Sequence, residues 1–427
     1  MGGKKKGKGK KGKKGKELAE VPTTTPYIVA ERERAMCPRL GDNYVRVQNS
    51  DEIKKDVVQW KIEKAAMNGA STLDISGGNL GFLPQELRTR PELQSITEIN
   101  LAKNQLFNSD HVFGVVSALE RIRVLNLSDN FLNGQLSDSV GLCISIRELR
   151  LDSNQLAALP PAIGQLMELR TLTATNNQLA ALPEELGDCG RLEVLNVRGN
   201  QLGALPAALG RCLALRRLYA GANQIQALPD SVGDLADLEV LDLRRNQLAA
   251  VPAALARCAR LRFLHLGCNK LKEIPPEVLA ALGELEEFHV NQNKVEALPS
   301  EVGRLTSLKR LTLSSNNIKT LPEEIGNCSQ IQELYVNNNA KFSGLPASAG
   351  HFRMLKELSM RKCPKVKQLP STAYNWTALR ELDVRAPKKQ VCKIPPDLKV
   401  QLDGQACQLR GGTVKKAKGG KKGKKKK

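Results

Sequence analysis

Histidine and cysteine are the side chains of this sequence that come closest to a metal-binding pattern. The stretch "LRFLHLGCNKL", residues 261 to 271, places two residues between His265 and Cys268, and His289 follows 24 residues after His265. Imidazole nitrogen and thiolate sulfur are preferred ligands of Zn²⁺, and short spacings bring two of them to one ion. Taken alone, this stretch would be half of a zinc site.

The same stretch is also one copy of a repeat that fills most of the chain. The segments "LEVLNVRGNQLGALP", "LRRLYAGANQIQALP", "LEVLDLRRNQLAAVP" and "LRFLHLGCNKLKEIP" share the frame LxxLxLxxNxLxxLP. A degenerate copy, "TLDISGGNLGFLP", precedes the copies that begin at Ile96, Ile122, Ile146, Leu169, Leu192, Leu215, Leu238, Leu261, Leu285, Leu308, Ile331, Leu355 and Leu379. About fourteen units at a nearly constant step predict an array of stacked repeats.

Each part of the frame has a physical role. The two leucines of LxL lie on one face of a short strand, and the residue between them faces the other way. The asparagine at the ninth position comes where the strand must turn inward, and its amide can donate to and accept from the unpaired peptide groups of that turn. Leu-Pro then leads into a convex segment such as "PAIGQLMEL".

One unit cannot fold alone. Burying about seven apolar side chains contributes ~1.5–3 kcal/mol each, whereas ordering about 23 residues costs ~1–2 kcal/mol each. The units must therefore stack, and the expected result is a curved solenoid with a parallel sheet on its concave side.

The sequence resembles intracellular leucine-rich repeat proteins over residues 70–395. Its "LPxxIGxLxxLxxLxLxxNxLxxLP" form is similar to the Scribble-like and the plant intracellular Ras-group-related repeat classes. The resemblance implies an α/β horseshoe with short helical or irregular convex segments, protein binding on the concave face and no catalysis by the repeats. The array departs from the pattern near its end, where Cys363 and then Pro387 replace the asparagine.

The segments around the repeats differ strongly in composition. Residues 1–16 and 415–427 are Lys-rich tails with nine lysines each and no acid, which predicts disorder. Residues 17–49 are expected to be a linker, residues 50–69 an N-terminal capping helix that Gly69 stops, and residues 396–414 a C-terminal cap. The tails can attach the protein to an acidic surface, and tubulin tails, RNA and an anionic membrane all remain open.

Charge and cysteine content limit the function classes. Without the 18 tail lysines, the net charge of +21 falls to 47 basic against 44 acidic residues, which argues against a nucleic-acid-binding body. No stretch approaches the ~18 apolar residues of a membrane span, and no apolar run follows the basic N-terminus, as a secretory signal would require. We therefore expect ten reduced cysteines and a cytoplasmic monomer, with the cilium or cytoskeleton and the nucleus as alternative locations.

Outward strand residues form the candidate site. The middle units place arginine, aromatic and histidine side chains at these positions, and arginine and aromatic residues dominate the centres of protein interfaces. The predicted binding residues are Arg150, Arg198, Arg217, Tyr219, Asp242, Arg244, Arg245, Phe263, His265, His289, Arg310 and Tyr335. The alternative is a solvated surface with scattered side chains.

Metal and catalytic functions have weaker sequence support. Asp242, His265, Cys268 and His289 can converge across neighbouring strands, but a flat sheet lets few ligands close a tetrahedron, so we expect no metal and no cofactor. GxxxxGK[ST], HExxH and GxSxG are absent, and we predict no enzymatic activity.

Two non-enzymatic functions then remain. The first is a scaffold or adaptor that binds a signalling protein, such as a small GTPase or a phosphatase, on its concave face. The second is a structural component of a cytoskeletal, axonemal or ribonucleoprotein assembly, docked through its tails and one edge.

Overall fold

The computed structural model describes residues 50–386, 392–404 and 407–412. The Lys-rich tails, the linker and Pro387 lie outside the described residues. Two compact units divide the chain at Trp60 and Lys61. Helix α1 (Ser50–Asn68) ends before Gly69, which has a φ of 56° and adopts the left-handed conformation that terminates many helices. No described helix combines the length and apolar character needed to cross a membrane.

The second unit is built on one parallel sheet to which the described residues contribute fifteen short strands in chain order. These strands are β1 (Thr72–Asp74), β2 (Glu98–Asn100), β3 (Val124–Asn126), β5 (Glu148–Arg150), β7 (Thr171–Thr173), β8 (Val194–Asn196), β9 (Arg217–Tyr219), β10 (Val240–Asp242), β11 (Phe263–His265), β12 (Glu287–His289), β13 (Arg310–Thr312), β14 (Glu333–Tyr335), β15 (Glu357–Ser359), β16 (Glu381–Asp383) and β17 (Gln408–Arg410). A separate parallel pair is formed by β4 (Asn133–Gln135) and β6 (Gln155–Ala158). This arrangement confirms the predicted α/β leucine-rich repeat solenoid.

Short helical segments face the other side of the core. The α-helices of this unit are α2 (Glu86–Thr89), α3 (Ser109–Val116), α4 (Pro276–Ala281) and α5 (Pro396–Gly404). The 3₁₀ segments are Pro91–Ser95, Asp138–Leu142, Pro161–Gln165, Glu184–Asp188, Ala207–Arg211, Asp230–Asp234, Ala253–Arg257, Ser300–Arg304, Glu323–Asn327, Ala347–His351 and Ser371–Asn375. A proline precedes most of them, as Pro206 does with a φ of −66°, and fixes the backbone angle at which the chain enters the segment.

The core lies between the sheet and these segments. The central strand residues Leu241, Leu264 and Phe288 are fully buried, and equivalent positions pair across the sheet, so that Leu241 lies opposite Leu264. Repeat spacing therefore sets the register, because a step of one unit returns each leucine to the same place in the next strand.

The sheet continues beyond the repeats that the sequence frame identifies. Strand β17 pairs with β16 in parallel, with Gln408 opposite Glu381. It adds one strand to the about fourteen predicted units, and it falls with α5 in the segment expected to be a cap. The frame misses this strand because its sequence, "QLRGG", lacks the asparagine and the Leu-Pro that define a repeat.

Candidate protein-binding face

The outward residues of the middle strands align in a column that runs across the sheet. Tyr219 pairs with Asp242, Asp242 with His265, and His265 with His289 across β9 to β12. The column continues through Thr312 to Tyr335. Register alone therefore brings together side chains that lie 23 or 24 residues apart in the chain.

The structure divides the twelve predicted site residues by exposure. Those that are exposed are Arg150, Arg198, Arg217 and Arg245. Those that are partly buried are Tyr219, Arg244, Phe263, His265, His289, Arg310 and Tyr335. Asp242 departs from the expectation of an accessible side chain, because only 1% of it is exposed.

Asp242 acts on this face through Arg244. Its carboxylate accepts hydrogen bonds from Arg244 Nε at 3.0 and 2.8 Å, lies 2.7 Å from Nη2, and also accepts from the Arg244 backbone N–H at 3.1 Å. These hydrogen bonds raise the pKa of the Arg244 guanidinium. The buried acid thus holds a partly exposed guanidinium in one orientation, which a free arginine side chain would lose entropy to adopt.

A shallow pocket of about 350 Å³ lies next to this pair. Its lining residues are Arg198, Arg244, Arg245, His265, Gly267, Cys268, His289, Asn291 and Gln292, and none of these carries a carboxylate. Arg198 and Arg245 take part in none of the ion pairs formed among the described residues. The pocket therefore presents three guanidinium groups to solvent with only Arg244 neutralised.

Of the other predicted arginines, Arg150 and Arg310 have acidic partners on the sheet, and Arg217 takes part in no ion pair among the described residues. Arg150 forms an ion pair with Glu148 at 2.5 Å. Arg310 donates through Nε to Glu333 at 2.7 Å and through Nη1 to Glu287 at 3.2 Å, and these contacts raise its pKa. Both side chains lie outside the pocket lining. The structure thus brings only part of the predicted set together.

The two histidines of the column form a second grouping with Glu287. Their ring centroids are 4.4 Å apart with an interplanar angle of 89°. Glu287 Oε2 lies 3.0 Å from His289 Nε2 and 3.7 Å from His265 Nε2. Burial, followed by the neighbouring His289, lowers the pKa of His265.

Two side chains that the sequence placed near this grouping have other partners. Asp242 is held by Arg244, and Cys268 Sγ donates to Gln292 Oε1 at 3.2 Å. Sequence reasoning missed Glu287 as a member, although the signal was present. Glu287 and His289 alternate on one strand, and alternate residues of a strand share a face.

Comparisons with known proteins agree with this fold. Family models described as "Leucine-rich repeat region" and "Leucine rich repeat" match residues 254–398 and 213–271. A leucine-rich repeat protein of Leptospira interrogans is similar, with 27% identity, coverage of 81% of this chain and 97% of that chain, and a TM-score of 0.60. A search of curated protein sequences finds no relative.

Two further solved structures share the fold alone. An internalin, InlF, of Listeria monocytogenes has 19% identity, coverage of 79% of this chain and 90% of that chain, and a TM-score of 0.62. YopM of Yersinia enterocolitica has 22% identity, coverage of 86% and 76%, and a TM-score of 0.57. Solenoids of this kind generally use their extended concave surface to bind proteins.

Proposed function

We propose that this leucine-rich repeat protein is a non-enzymatic adaptor that binds an acidic segment of a protein partner on the concave face of its middle repeats. The observation that carries the proposal is the pocket lined by Arg198, Arg244 and Arg245 without a carboxylate. In contrast, Arg150 and Arg310 elsewhere on the sheet have acidic partners within the chain. Carboxylates of a partner would complete the pairing that the pocket lacks.

The geometry favours recognition of carboxylates. A guanidinium group binds a carboxylate through two parallel hydrogen bonds, and such charge-assisted bonds are roughly twice as strong as neutral ones. Arg244 is already oriented by Asp242, so less side-chain entropy is lost when a ligand binds. Arg198 and Arg245 are exposed and supply the remaining positive charge.

The surroundings of the pocket favour a protein over a nucleic acid. Partly buried Tyr219 and Phe263 lie on β9 and β11 and offer apolar contact surface beside the arginines. Farther along the sheet, Glu357 lies in register with Glu381, which pairs with Arg410. Glu357 itself takes part in no ion pair among the described residues, and this acid would repel a phosphate backbone. A polypeptide with acidic and apolar side chains fits both features.

The proposed function extends to the partner class, the cellular compartment and the Lys-rich tails of the protein. A small GTPase or a phosphatase is the partner class that an adaptor role suggests. The described cysteines are all free thiols, which supports a reducing compartment such as the cytoplasm. The Lys-rich tails supply the tether to an acidic surface.

Charge reversal in the pocket tests this function. After affinity purification with crosslinking has identified the partner, we expect Arg198→Glu combined with Arg245→Glu to weaken its binding at least tenfold. Interface hot spots of this type contribute about 2 kcal/mol or more each, and 1.4 kcal/mol corresponds to a tenfold change in affinity. Titration of the purified partner by calorimetry measures the effect.

The matched control reverses two exposed arginines on the convex side. Arg304 ends one 3₁₀ segment and Arg353 follows another, so Arg304→Glu with Arg353→Glu makes the same change in net charge away from the pocket. This control should retain the affinity of the unmodified chain. Equal losses in both double variants would mean that net charge, and not the pocket, governs binding.

A further inference from the structure

We propose that His265, Glu287 and His289 form a binding site for a divalent transition-metal ion, with Zn²⁺ as the ion that fits this donor set best. One imidazole nitrogen from each histidine and one carboxylate oxygen lie within 4.8 Å of one another on the concave face. Two histidines and one glutamate are a ligand set that zinc sites use when a coordination position stays open. This inference does not depend on the proposed adaptor function.

The distances suit a small ion. Zinc bonds of about 2.0–2.1 Å in a tetrahedral arrangement place ligand atoms about 3.3–3.4 Å apart. Glu287 Oε2 lies 3.0 Å from His289 Nε2 and 3.7 Å from His265 Nε2, on either side of that value. The third separation, between the two imidazole nitrogens, lies within 4.8 Å, so side-chain rotations that shorten it toward that value would place all three donors around one ion.

One donor of this group has no other use in the fold. His265 Nε2 is buried and has no hydrogen-bond partner. Leaving a buried polar atom unsatisfied costs about 1–3 kcal/mol, so its retention beside a carboxylate and a second imidazole calls for a ligand. A metal ion would accept the lone pair of this imidazole nitrogen.

The other two donors are oriented by contacts outside the group. His289 Nδ1 lies 2.5 Å from Thr312 Oγ1, which leaves Nε2 directed toward Glu287. Glu287 Oε1 accepts from Arg310 Nη1 at 3.2 Å, which leaves Oε2 directed toward the histidines. Contacts of this kind fix the tautomer and direction of metal ligands in known sites.

The geometry is compatible with a dication, and part of the nearby positive charge is balanced. Arg310 pairs with Glu333 and Arg244 pairs with Asp242, whereas Arg198 and Arg245 of the adjoining pocket take part in no ion pair among the described residues. A sheet surface offers three ligands more readily than four, and the His₂Glu set needs only three. The remaining position would face solvent, where a water molecule or a donor from another molecule can occupy it.

The test measures zinc binding to the full-length, untagged chain under reducing conditions. Competition with a chromogenic chelator should show one equivalent of tightly bound Zn²⁺ in the unmodified protein. His265→Ala, His289→Ala and the conservative variant Glu287→Gln should each lower the affinity for this Zn²⁺ ion at least about 100-fold, since each removes a ligand. Thr312→Val should weaken it about 10–100-fold, the range for loss of an orienting contact.

His351→Ala serves as the control, because His351 lies in a convex segment and is exposed. It should bind zinc as the unmodified chain does. Zinc should also raise the thermal midpoint of the unmodified chain and leave that of the ligand variants unchanged, which separates lost binding from lost folding. The proposed site would be wrong if the unmodified chain bound no Zn²⁺ tightly. It would also be wrong if the folded ligand variants bound Zn²⁺ as tightly as the His351→Ala control.

Discussion

At the scale of the residue, the asparagine of each unit does what its position in the frame predicts. Asn246 Nδ2 donates to the backbone oxygens of Ala220 and Leu243 at 3.0 and 2.9 Å, and its Oδ1 accepts from Ile225 N–H at 3.0 Å. Each buried asparagine thus connects two neighbouring units. This series of hydrogen bonds between units is weaker at Cys363, which replaces the asparagine. Its thiol makes only one close contact of this kind, to Val336 O at 3.1 Å.

The candidate site shows where residue-level prediction stops. Repeat spacing was enough to align Tyr219, Asp242 and His265, because register follows from the period. It could not show that Asp242 is buried under Arg244, since this depends on which rotamer an arginine adopts. Nor could it show that Arg245 has a φ of 56°, a left-handed conformation that arginine seldom adopts and that the tight turn imposes.

Removing one asparagine should destabilise the array more than removing the thiol. We expect Asn246→Ala to lower the free energy of unfolding by at least about 1–3 kcal/mol, because it leaves buried peptide groups without partners. Cys363→Ala should cost less, since a thiol is a weak donor. Urea unfolding followed by circular dichroism measures both, and a larger loss for Cys363→Ala would contradict this role of the asparagine.

At the scale of the element, the convex segments are held together by close backbone approach. A Cβ at Gly187 would lie 2.2 Å from Ala208 O in the next segment, so the glycine of the "LG" and "IG" pairs is required by contact. Buried side chains at another repeat position donate across the same boundary. Cys258 Sγ reaches Val232 O at 3.3 Å, and Trp376 Nε1 reaches Ala349 O at 2.7 Å.

The sequence predicted convex segments but not their helix type. Short segments that start after proline mostly close as 3₁₀ turns, as Ala207–Arg211 does. The unit that begins at Leu261 is 24 residues long, one more than each of the five units before it, and its segment forms the α-helix Pro276–Ala281. Length alone does not decide the helix type, since the 24-residue units at Ile331 and Leu355 carry the 3₁₀ segments Ala347–His351 and Ser371–Asn375. Cys258 is fully buried, and the repeat frame does not indicate the hydrogen bond that its thiol donates.

Two glycines three residues apart test this packing. Gly187→Ala should lower the free energy of unfolding by about 1–3 kcal/mol, the usual cost of forcing extra volume into a close contact. Gly190→Ala should change it by less than about 0.5 kcal/mol, because nothing lies within 4 Å of a Cβ there. Thermal unfolding of the two variants gives the comparison, and similar midpoints would refute the contact explanation.

At the scale of the whole molecule, charge is distributed unevenly. The pocket of the middle repeats holds Arg198 and Arg245 without an ion pair among the described residues, whereas the strands after it carry Glu333, Glu357 and Glu381 in one column, where Glu333 pairs with Arg310 and Glu381 with Arg410. Composition alone gives only a nearly neutral body with two basic tails. This uneven distribution of charge follows only from the stacking of the repeats, because it depends on which residues share a column of the sheet.

The Lys-rich tails carry a prediction of their own. Deleting residues 1–16 and 415–427 removes 18 lysines, and we expect this to abolish sedimentation with an acidic partner surface at low salt. Microtubules, RNA and anionic vesicles are assayed in parallel, with the Arg304→Glu and Arg353→Glu variant as a control that keeps both tails. If the protein sedimented equally with these surfaces with and without its tails, the tails would not be the tether.

The place where a partner contacts the repeats tests the central claim most directly. A photo-crosslinking amino acid is introduced in place of Tyr219 or Phe263 on the concave face, and in place of Met167 or Leu213, which are 67% and 62% exposed on the convex side. Irradiation in cells, followed by mass spectrometry, identifies what each position captures. We predict that the two concave positions capture one common protein whose crosslinked segment is acidic; its capture mainly from Met167 or Leu213 would contradict binding on the concave face.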